Sequence, residues 1–146
     1  MSPPSSGAFG YSGTPLPDKL GIKPGHLVFL DAPPPGFDLA PLPDRVAVTR
    51  SDEQDIAAPE AADVIVAFCR DRASLLARLA PLRHALAPSA SLWIAWPKKA
   101  AKVPTDLGEA YVREYGLSTG LVDVKVCAVD QTWSALKFVH RLSDRP

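Results

Sequence analysis

The sequence has little of three features that would assign a protein class at once: net charge, cysteine and long apolar runs. Its 16 lysines and arginines balance 16 aspartates and glutamates, so the long-range attraction that draws proteins to nucleic acid or anionic membranes is absent. The two cysteines, Cys69 and Cys127, lack the clustered spacing of metal sites and disulfide frameworks, and we expect reduced core thiols. The longest apolar run, Val64–Cys69, is far shorter than the roughly 20 residues of a membrane span.

Further absences narrow the function classes. The N-terminus has neither a basic start nor an apolar stretch, so no secretory signal is expected. The chain also has no P-loop, nucleophile elbow, metal-ligand spacing or nucleic-acid module. We therefore expect a cytoplasmic protein with no nucleic-acid or membrane partner and no metal.

Proline and glycine are concentrated at the start of the chain. Ten of the 16 prolines and six of the nine glycines fall within residues 1–43, which predicts extended or turning backbone there. We interpret residues 1–18 as a Pro/Gly-rich tail and strap and residues 19–146 as one domain, a size that fits a single core.

Apolar and β-branched runs between turn residues predict six strands. They are His26–Asp31, Arg45–Thr49, Asp63–Phe68, Leu92–Trp96, Leu121–Asp130 and Ser134–Arg141. The third run is continuously apolar, which is typical of a parallel sheet covered on both faces. The last two runs are joined by a short polar loop and must pair as an antiparallel hairpin.

Two helical patterns lie among the later strands. The first carries leucines at helical spacing, and Pro81 is expected to kink it; they are Leu75, Leu79, Leu82 and Leu86. The second helix is predicted to begin at an N-cap, Thr105, and to run to about Leu117.

The connections on either side of strand two are short. Residues 32–44 leave room for about one helical turn over Phe37–Leu42. Residues 50–62 contain a capping box at Ser51 and Gln54, which predicts a short helix that Pro59 ends.

The element order β-β-β-α-β-α-β-β predicts an α/β fold. We expect a sandwich over a mostly parallel six-stranded sheet with an antiparallel C-terminal hairpin.

Several segments of the chain resemble known families. Three parts of the chain resemble class I methyltransferase-like Rossmann domains: Lys19–Asp31, Leu82–Pro88 followed by Leu92–Ala95, and the final hairpin. The resemblance covers most of residues 19–141 and implies S-adenosylmethionine as cofactor and a trimmed Rossmann-like sandwich with the strand order 2-1-3-4-6-5. Strand five is then an edge, where Asp123 and Lys125 discourage open-ended pairing. Four shorter stretches resemble the signature of a bacterial domain-of-unknown-function family, which implies no particular chemistry: Tyr11–Leu16, Trp96–Ala100, Lys102–Leu107 and Val122–Asp130.

The turn after strand one departs from the methyltransferase pattern. Those enzymes have a Gly-rich turn there, whose backbone N–H groups approach the cofactor. This chain has Pro33–Pro35 before Gly36, so three backbone donors are missing. Strand two ends at Arg50 instead of the acidic residue that holds the ribose, unless Asp52 or Glu53 takes that place. We therefore expect no cofactor and disfavour S-adenosylmethionine.

Ligands of open α/β sheets bind beyond the carboxyl ends of the strands, where the strand order reverses. The loops after strands one, three and four meet there and carry ten candidate ligand-binding residues: Asp31, Pro33, Gly36, Arg70, Arg72, Trp96, Lys98, Lys99, Lys102 and Thr105. Five of the ten are cations, which predicts a positive rim for a phosphate or carboxylate, helped by the helix N-terminus at Thr105. The alternative is a solvated lysine loop and two arginines that begin a helix.

Other residues of this region have both a structural and a chemical interpretation. Asp31 is expected to accept N–H bonds from the neighbouring turn, and its alternative role is that of a general base. Cys69 is expected to be an inert buried thiol, unless the following arginines lower its pKa. Trp96 and Trp133 either fill space, wall a pocket, or form a partner-binding patch with Tyr11.

The resulting hypothesis is a non-catalytic binding or regulatory module on a methyltransferase-like fold, whose crevice takes a small anion or a protein segment. No catalytic residue is predicted. One alternative is a divergent transferase that uses S-adenosylmethionine in an atypical way, or one that uses Asp31 with Lys98 and Lys99. Another is a structural protein-interaction module. The sequence indicates no oligomeric state.

Overall fold

The structure is a computed structural model that describes residues 14–51 and 61–141. Three α-helices, six strands and one short 3-10 helix (Lys99–Ala101) make up its regular structure within those residues. In chain order the helices and strands are α1 (Leu16–Leu20), β1 (Leu27–Asp31), β2 (Ala47–Ser51), β3 (Val64–Phe68), α2 (Arg72–Ala85), β4 (Ser91–Pro97), α3 (Glu109–Ser118), β5 (Leu121–Ala128) and β6 (Trp133–His140).

The six strands form one mixed sheet in the order β2-β1-β3-β4-β6-β5. Strands β2, β1, β3 and β4 are parallel, β6 is antiparallel to β4, and β5 is antiparallel to β6. The predicted fold class, strand order and terminal hairpin are confirmed. Because β1, β3 and β4 are parallel, their carboxyl ends lie along the same side of the sheet. The residues at these ends are Asp31, Phe68 and Pro97.

Alternation along the strands divides the buried side chains between two cores, one on each face of the sheet. Helices α2 and α3 contribute to the first core through residues such as Leu79 and Val112, and α1 contributes to the second through Leu20. Trp96 belongs to the first core and Trp93 to the second, as expected for strand residues three positions apart. The Trp93 indole N–H donates to the carbonyl oxygen of Leu20 at 3.2 Å, which fixes α1 on its face of the sheet.

Helix α2 follows its leucine pattern closely. Asp71 is the N-cap, and its carboxylate accepts the backbone N–H of Ser74 at 2.9 Å. The helix continues through Pro81 to Ala85, and Pro81 lies on its exposed side. None of the helices within residues 14–51 and 61–141 has the length and apolar character needed to cross a membrane.

Two sequence expectations about helices are wrong. Helix α3 begins at Glu109, and its N-cap, Gly108, lies three residues after the predicted N-cap, Thr105. The Thr105 hydroxyl instead donates to the carbonyl of Arg70 and accepts the N–H of Leu107, so it braces the loop before the helix. Residues 37–42 form no helical turn, since prolines at positions 41 and 43 disfavour the α conformation of the residues before them.

Some strand ends also differ from the prediction. Strand β2 begins at Ala47, two residues late, because Arg45 has a φ of 60° and is not extended. Strand β5 ends at Ala128, because the Asp130 carboxylate accepts the N–H groups of Thr132 and Trp133 and shapes the hairpin loop. The predicted strap at residues 1–13 and most of the predicted helix up to Pro59 lie outside the described residues.

Strand β5 is an edge of the sheet, as predicted. Its pairing with β6 shifts register between Asp123 and Val126, where two residues oppose one, and such a bulge disfavours further strand pairing. The Asp123 carboxylate faces α3 and accepts the Arg113 Nε–H at 2.9 Å. This contact ties the edge strand to the helix beside it.

Helix α3 approaches β6 most closely at Gly116. A Cβ at this position would overlap the ring of Phe138, which is fully buried in the first core. Glycine therefore sets how near α3 lies to the sheet, and with it the position of the first turn of α3.

We predict that Gly116→Ala destabilises the protein, although alanine is the better helix former. The added methyl group must displace the buried Phe138 ring, an overpacking effect that costs about 1–3 kcal/mol of unfolding free energy. Urea denaturation measures it. Glu114→Ala on the same helix is the control, since Glu114 is exposed; equal midpoints for the two variants would contradict the prediction.

Candidate functional site

The turn after β1 is a closed, proline-built loop. The Phe37 N–H donates to the Pro34 carbonyl at 3.1 Å, and Gly36 between them has a φ of 79°, the geometry of a type II turn. The Ala32 N–H donates to the Ser51 carbonyl at 3.1 Å. Since prolines have no N–H, Gly36 is the one residue of this turn whose N–H has no partner within the described residues.

Asp31, the last residue of β1, forms a buried ion pair. It is fully buried, and both of its carboxylate oxygens lie 2.7 Å from Arg78 Nη1. The Ser51 hydroxyl also donates to Asp31 at 2.7 Å. The expectation that Asp31 accepts N–H bonds from the turn is wrong, because a guanidinium on α2 and a hydroxyl on β2 occupy its oxygens instead.

The sequence reasoning missed Arg78. It lies between Leu75 and Leu79 on the buried side of α2 and is only 4% exposed. A cation within an apolar helical stripe signals a buried carboxylate nearby, since a charge this deep must be paired. Asp31, at the end of an otherwise apolar strand, was the matching signal.

Aromatic side chains fill the space beside the turn. Phe37 meets Phe68 edge to face with ring centroids 4.9 Å apart, and Phe68 meets Trp133 at 5.2 Å in the same manner. Arg50 Nη1 donates to the Phe37 carbonyl at 3.3 Å. Trp133 begins β6 and is buried in the second core, so it fills space, and the alternative of an exposed patch at Trp133 is wrong.

Cys69 follows β3 and is a protonated, inert thiol. Burial raises its pKa to about 12, the negative charge of Asp31 adds to the rise, and Arg78 opposes it. Burial also raises the pKa of the half-buried Cys127, against the lysine charges of Lys19 and Lys125. The reservation that the arginines after β3 activate Cys69 is therefore wrong.

The five cations of the predicted positive rim lie in separate parts of the structure. Arg72 begins α2 and is held in place, because its Nε–H donates to the Asp106 carbonyl at 2.8 Å and its guanidinium lies 4.1 Å from the centre of the Tyr111 ring. Arg70 is exposed on the preceding loop. Lys102 ends the 3-10 helix in a left-handed conformation with a φ of 56°.

A pocket of about 550 Å³ opens at the end of β4. Four of the predicted residues line it: Trp96, Lys98, Lys99 and Thr105. The other predicted residues, Asp31, Pro33, Gly36, Arg70, Arg72 and Lys102, do not line it. The sequence missed the remaining lining, which comes from the end of β4, the loop before α3, the first turn of α3 and β6: Pro97, Val103, Leu107, Gly108, Glu109, Ala110 and Ser134.

The first turn of α3 gives this pocket a positive electrostatic character. Gly108 is the N-cap and has no side chain to accept the first helical N–H groups. Glu109, the one carboxylate in the lining, is paired with Arg113 at 2.9 Å. No cluster of three metal-binding side chains occurs in the part of the chain that the structure describes.

We predict that Asp31→Asn lowers the unfolding free energy by about 3–5 kcal/mol, because it removes the carboxylate charge that lies against the buried Arg78 guanidinium. The double variant Asp31→Leu/Arg78→Met recovers most of that loss by removing both charges. Urea midpoints at pH 7 measure both effects. The control is Asp44→Asn, an exposed aspartate. An unchanged midpoint for Asp31→Asn would show that the ion pair does not contribute to stability and would contradict the prediction.

We also predict that Cys69 resists iodoacetamide in the folded protein. With a pKa of about 12, about one thiol in a thousand is ionised at pH 9, and the group is buried. Peptide mass mapping should find Cys69 unmodified under native conditions and fully modified in guanidinium chloride. Rapid native labelling of Cys69 contradicts the assignment.

Comparisons with known proteins give a structural likeness only. No family model matches the chain, and no curated protein is significantly similar to it. It is similar to the crystal structure of a SAM dependent methyltransferase from Aquifex aeolicus, with a TM-score of 0.56 and 17% identity over 83% of this chain and 85% of that one. The tRNA methyltransferase TrmK from B. subtilis gives a TM-score of 0.49 and 12% identity, over 88% of this chain and 66% of that one. The likeness to the Aquifex protein shows that this chain has the α/β fold of SAM-dependent methyltransferases.

Proposed function

We propose that this protein is a non-catalytic binding module that takes a small anionic ligand in the pocket at the end of β4. One observation carries the proposal: Lys98, Lys99 and the uncapped first turn of α3 border the same 550 Å³ space. Volumes of this order are typical of small-molecule sites. The ten predicted ligand residues are thereby reduced to the four that line the pocket.

The charges around the pocket favour an anion over a cation. Two ammonium groups and the positive end of the α3 dipole contribute attraction. The Glu109 carboxylate is the opposing charge, and the Arg113 guanidinium beside it offsets part of its field. Arg113 is itself held by Asp123, so the arrangement of these charges is fixed by β5 as well as by α3.

The fold implies S-adenosylmethionine, but the residues after β1 do not fit a nucleoside cofactor. The turn keeps one N–H for a ligand, that of Gly36. The Asp31 carboxylate is buried against Arg78, and the Arg50 side chain bonds to Phe37 across the neighbouring loop. These contacts support a ligand site at β4 instead of one at β1.

The same contacts support a non-catalytic role. Asp31, the carboxylate considered as a general base, is engaged by two partners and sealed from solvent. Cys69, the thiol considered as a nucleophile, is buried and protonated. Lys98 and Lys99 remain as charges that bind and orient an anion.

We predict that inorganic phosphate or acetate raises the melting temperature of the protein, and that Lys98→Gln/Lys99→Gln abolishes the rise. The control, Arg70→Gln/Lys102→Gln, removes the same net charge from positions outside the pocket and should keep the response. Equal loss in both variants would indicate a diffuse charge effect and contradict the assigned pocket. Circular dichroism checks that each variant is folded.

Calorimetric titration with S-adenosylhomocysteine separates the proposal from the transferase alternative. We expect no heat of binding. Micromolar affinity would favour a divergent transferase, and its survival in Lys98→Gln/Lys99→Gln would place that ligand away from the β4 pocket. A concentration-independent dimer in light scattering, without any anion response, would favour the protein-interaction alternative.

A further inference from the structure

The β4 pocket has apolar walls in addition to its cationic groups. Four apolar side chains contribute to the lining: Trp96, Val103, Leu107 and Ala110. Trp96 and Leu107 are almost fully buried, so they present only the surface that faces the pocket. Val103 is 43% exposed, an unusual exposure for an aliphatic side chain beside a concave surface.

The pocket is an open cleft of about 550 Å³, which a bare inorganic anion does not fill. A phosphate or carboxylate held by the lysines fills a small part of that space. The remainder of a fitting ligand must lie against the apolar walls.

Several polar groups of the lining are already hydrogen-bonded or paired. The Thr105 hydroxyl is used twice, as donor to Arg70 and as acceptor from Leu107. The Lys98 backbone N–H donates to the Thr132 carbonyl at 2.8 Å, and the Glu109 carboxylate is paired with Arg113. The Ser134 hydroxyl, the lysine ammonium groups and the first N–H groups of α3 remain for a ligand. These groups suit an anionic head, whereas a sugar or polyol body would find fewer hydrogen bonds here than in water.

We infer that the ligand of this pocket is an amphipathic anion: one carboxylate or phosphate group on an apolar body, such as an alkyl chain or an aromatic ring. The inference rests on the proposed function and names its ligand class. The anionic group binds near Lys98, Lys99 and the first turn of α3. The apolar body covers Val103 and the exposed surfaces of Trp96 and Leu107.

A homologous series of carboxylates tests the inference. Titration calorimetry with acetate, butyrate, hexanoate and octanoate should show affinity rising with chain length, by up to about fourfold for each methylene group that is fully buried. Ribose 5-phosphate and inorganic phosphate should bind at least tenfold more weakly than octanoate. Phenyl phosphate should bind more tightly than inorganic phosphate.

Two variants locate the two parts of the ligand. Val103→Ser should weaken octanoate several-fold and leave phosphate unchanged, whereas the control Val124→Ser, at an exposed valine on β5, should change neither. Lys98→Gln/Lys99→Gln should weaken every anion. Both valines are exposed, so the variants are expected to fold.

The outcomes separate the two proposals. If ribose 5-phosphate or phosphate binds as tightly as octanoate, the amphipathic class is wrong and the anion pocket stands. If no anion binds, both are wrong. If chain-length dependence persists unchanged in Val103→Ser, the apolar body lies outside this pocket and the inference is overturned.

Discussion

The buried ion pair between Asp31 and Arg78 is the contact on which the arrangement of residues at the carboxyl end of β1 depends. It joins the end of β1 to the middle of α2, and the Ser51 hydroxyl extends it to the end of β2. Three elements therefore meet at one desolvated carboxylate. Such a pair contributes little net stability over apolar packing, but removing one partner is costly because the other charge stays buried. The pair thus fixes the position of the turn after β1 and removes its carboxylate from contact with solvent.

The turn after β1 is filled by its own side chains, which explains why the candidate site of this α/β sheet lies at the end of β4 and not at the end of β1. In open α/β sheets the crevice beyond the strand ends takes the ligand, and fold alone does not decide which loops build it. Here prolines, the Arg50 to Phe37 hydrogen bond and the contact of Phe37 with Phe68 fill the β1 side. The loop after β4 instead borders an open pocket, which lies on the same side of the sheet as the carboxyl end of β1.

The sequence predicted the sheet better than the site, and the reason is physical. The strands and the terminal hairpin follow from apolar runs and connection lengths, which are local properties of the sequence, and the resemblance to methyltransferase-like domains implied the strand order. The site depends on long-range pairings. Arg78 escaped attention because the helical pattern around it is apolar, and its partner lies 47 residues earlier. Thr105 was assigned to a helix start because its residue type suits an N-cap, but Arg70 captures its hydroxyl from another loop. Lys98 and Lys99 were predicted correctly as neighbours of Trp96, since all three follow one strand.

The position of the pocket is set by packing at some distance from it. Gly116 allows α3 to lie against Phe138, and Arg113 links the first turn of the same helix to the edge strand through Glu109 and Asp123. The helix is thus held at two points along its length, one apolar and one ionic. Because α3 supplies Gly108, Glu109 and Ala110 to the lining, its placement determines both the width of the pocket and the direction of its dipole. The Arg113 guanidinium also offsets part of the negative charge of Glu109 in the pocket lining. The same side chains therefore connect the edge strand to α3 and shape the distribution of charge at the pocket.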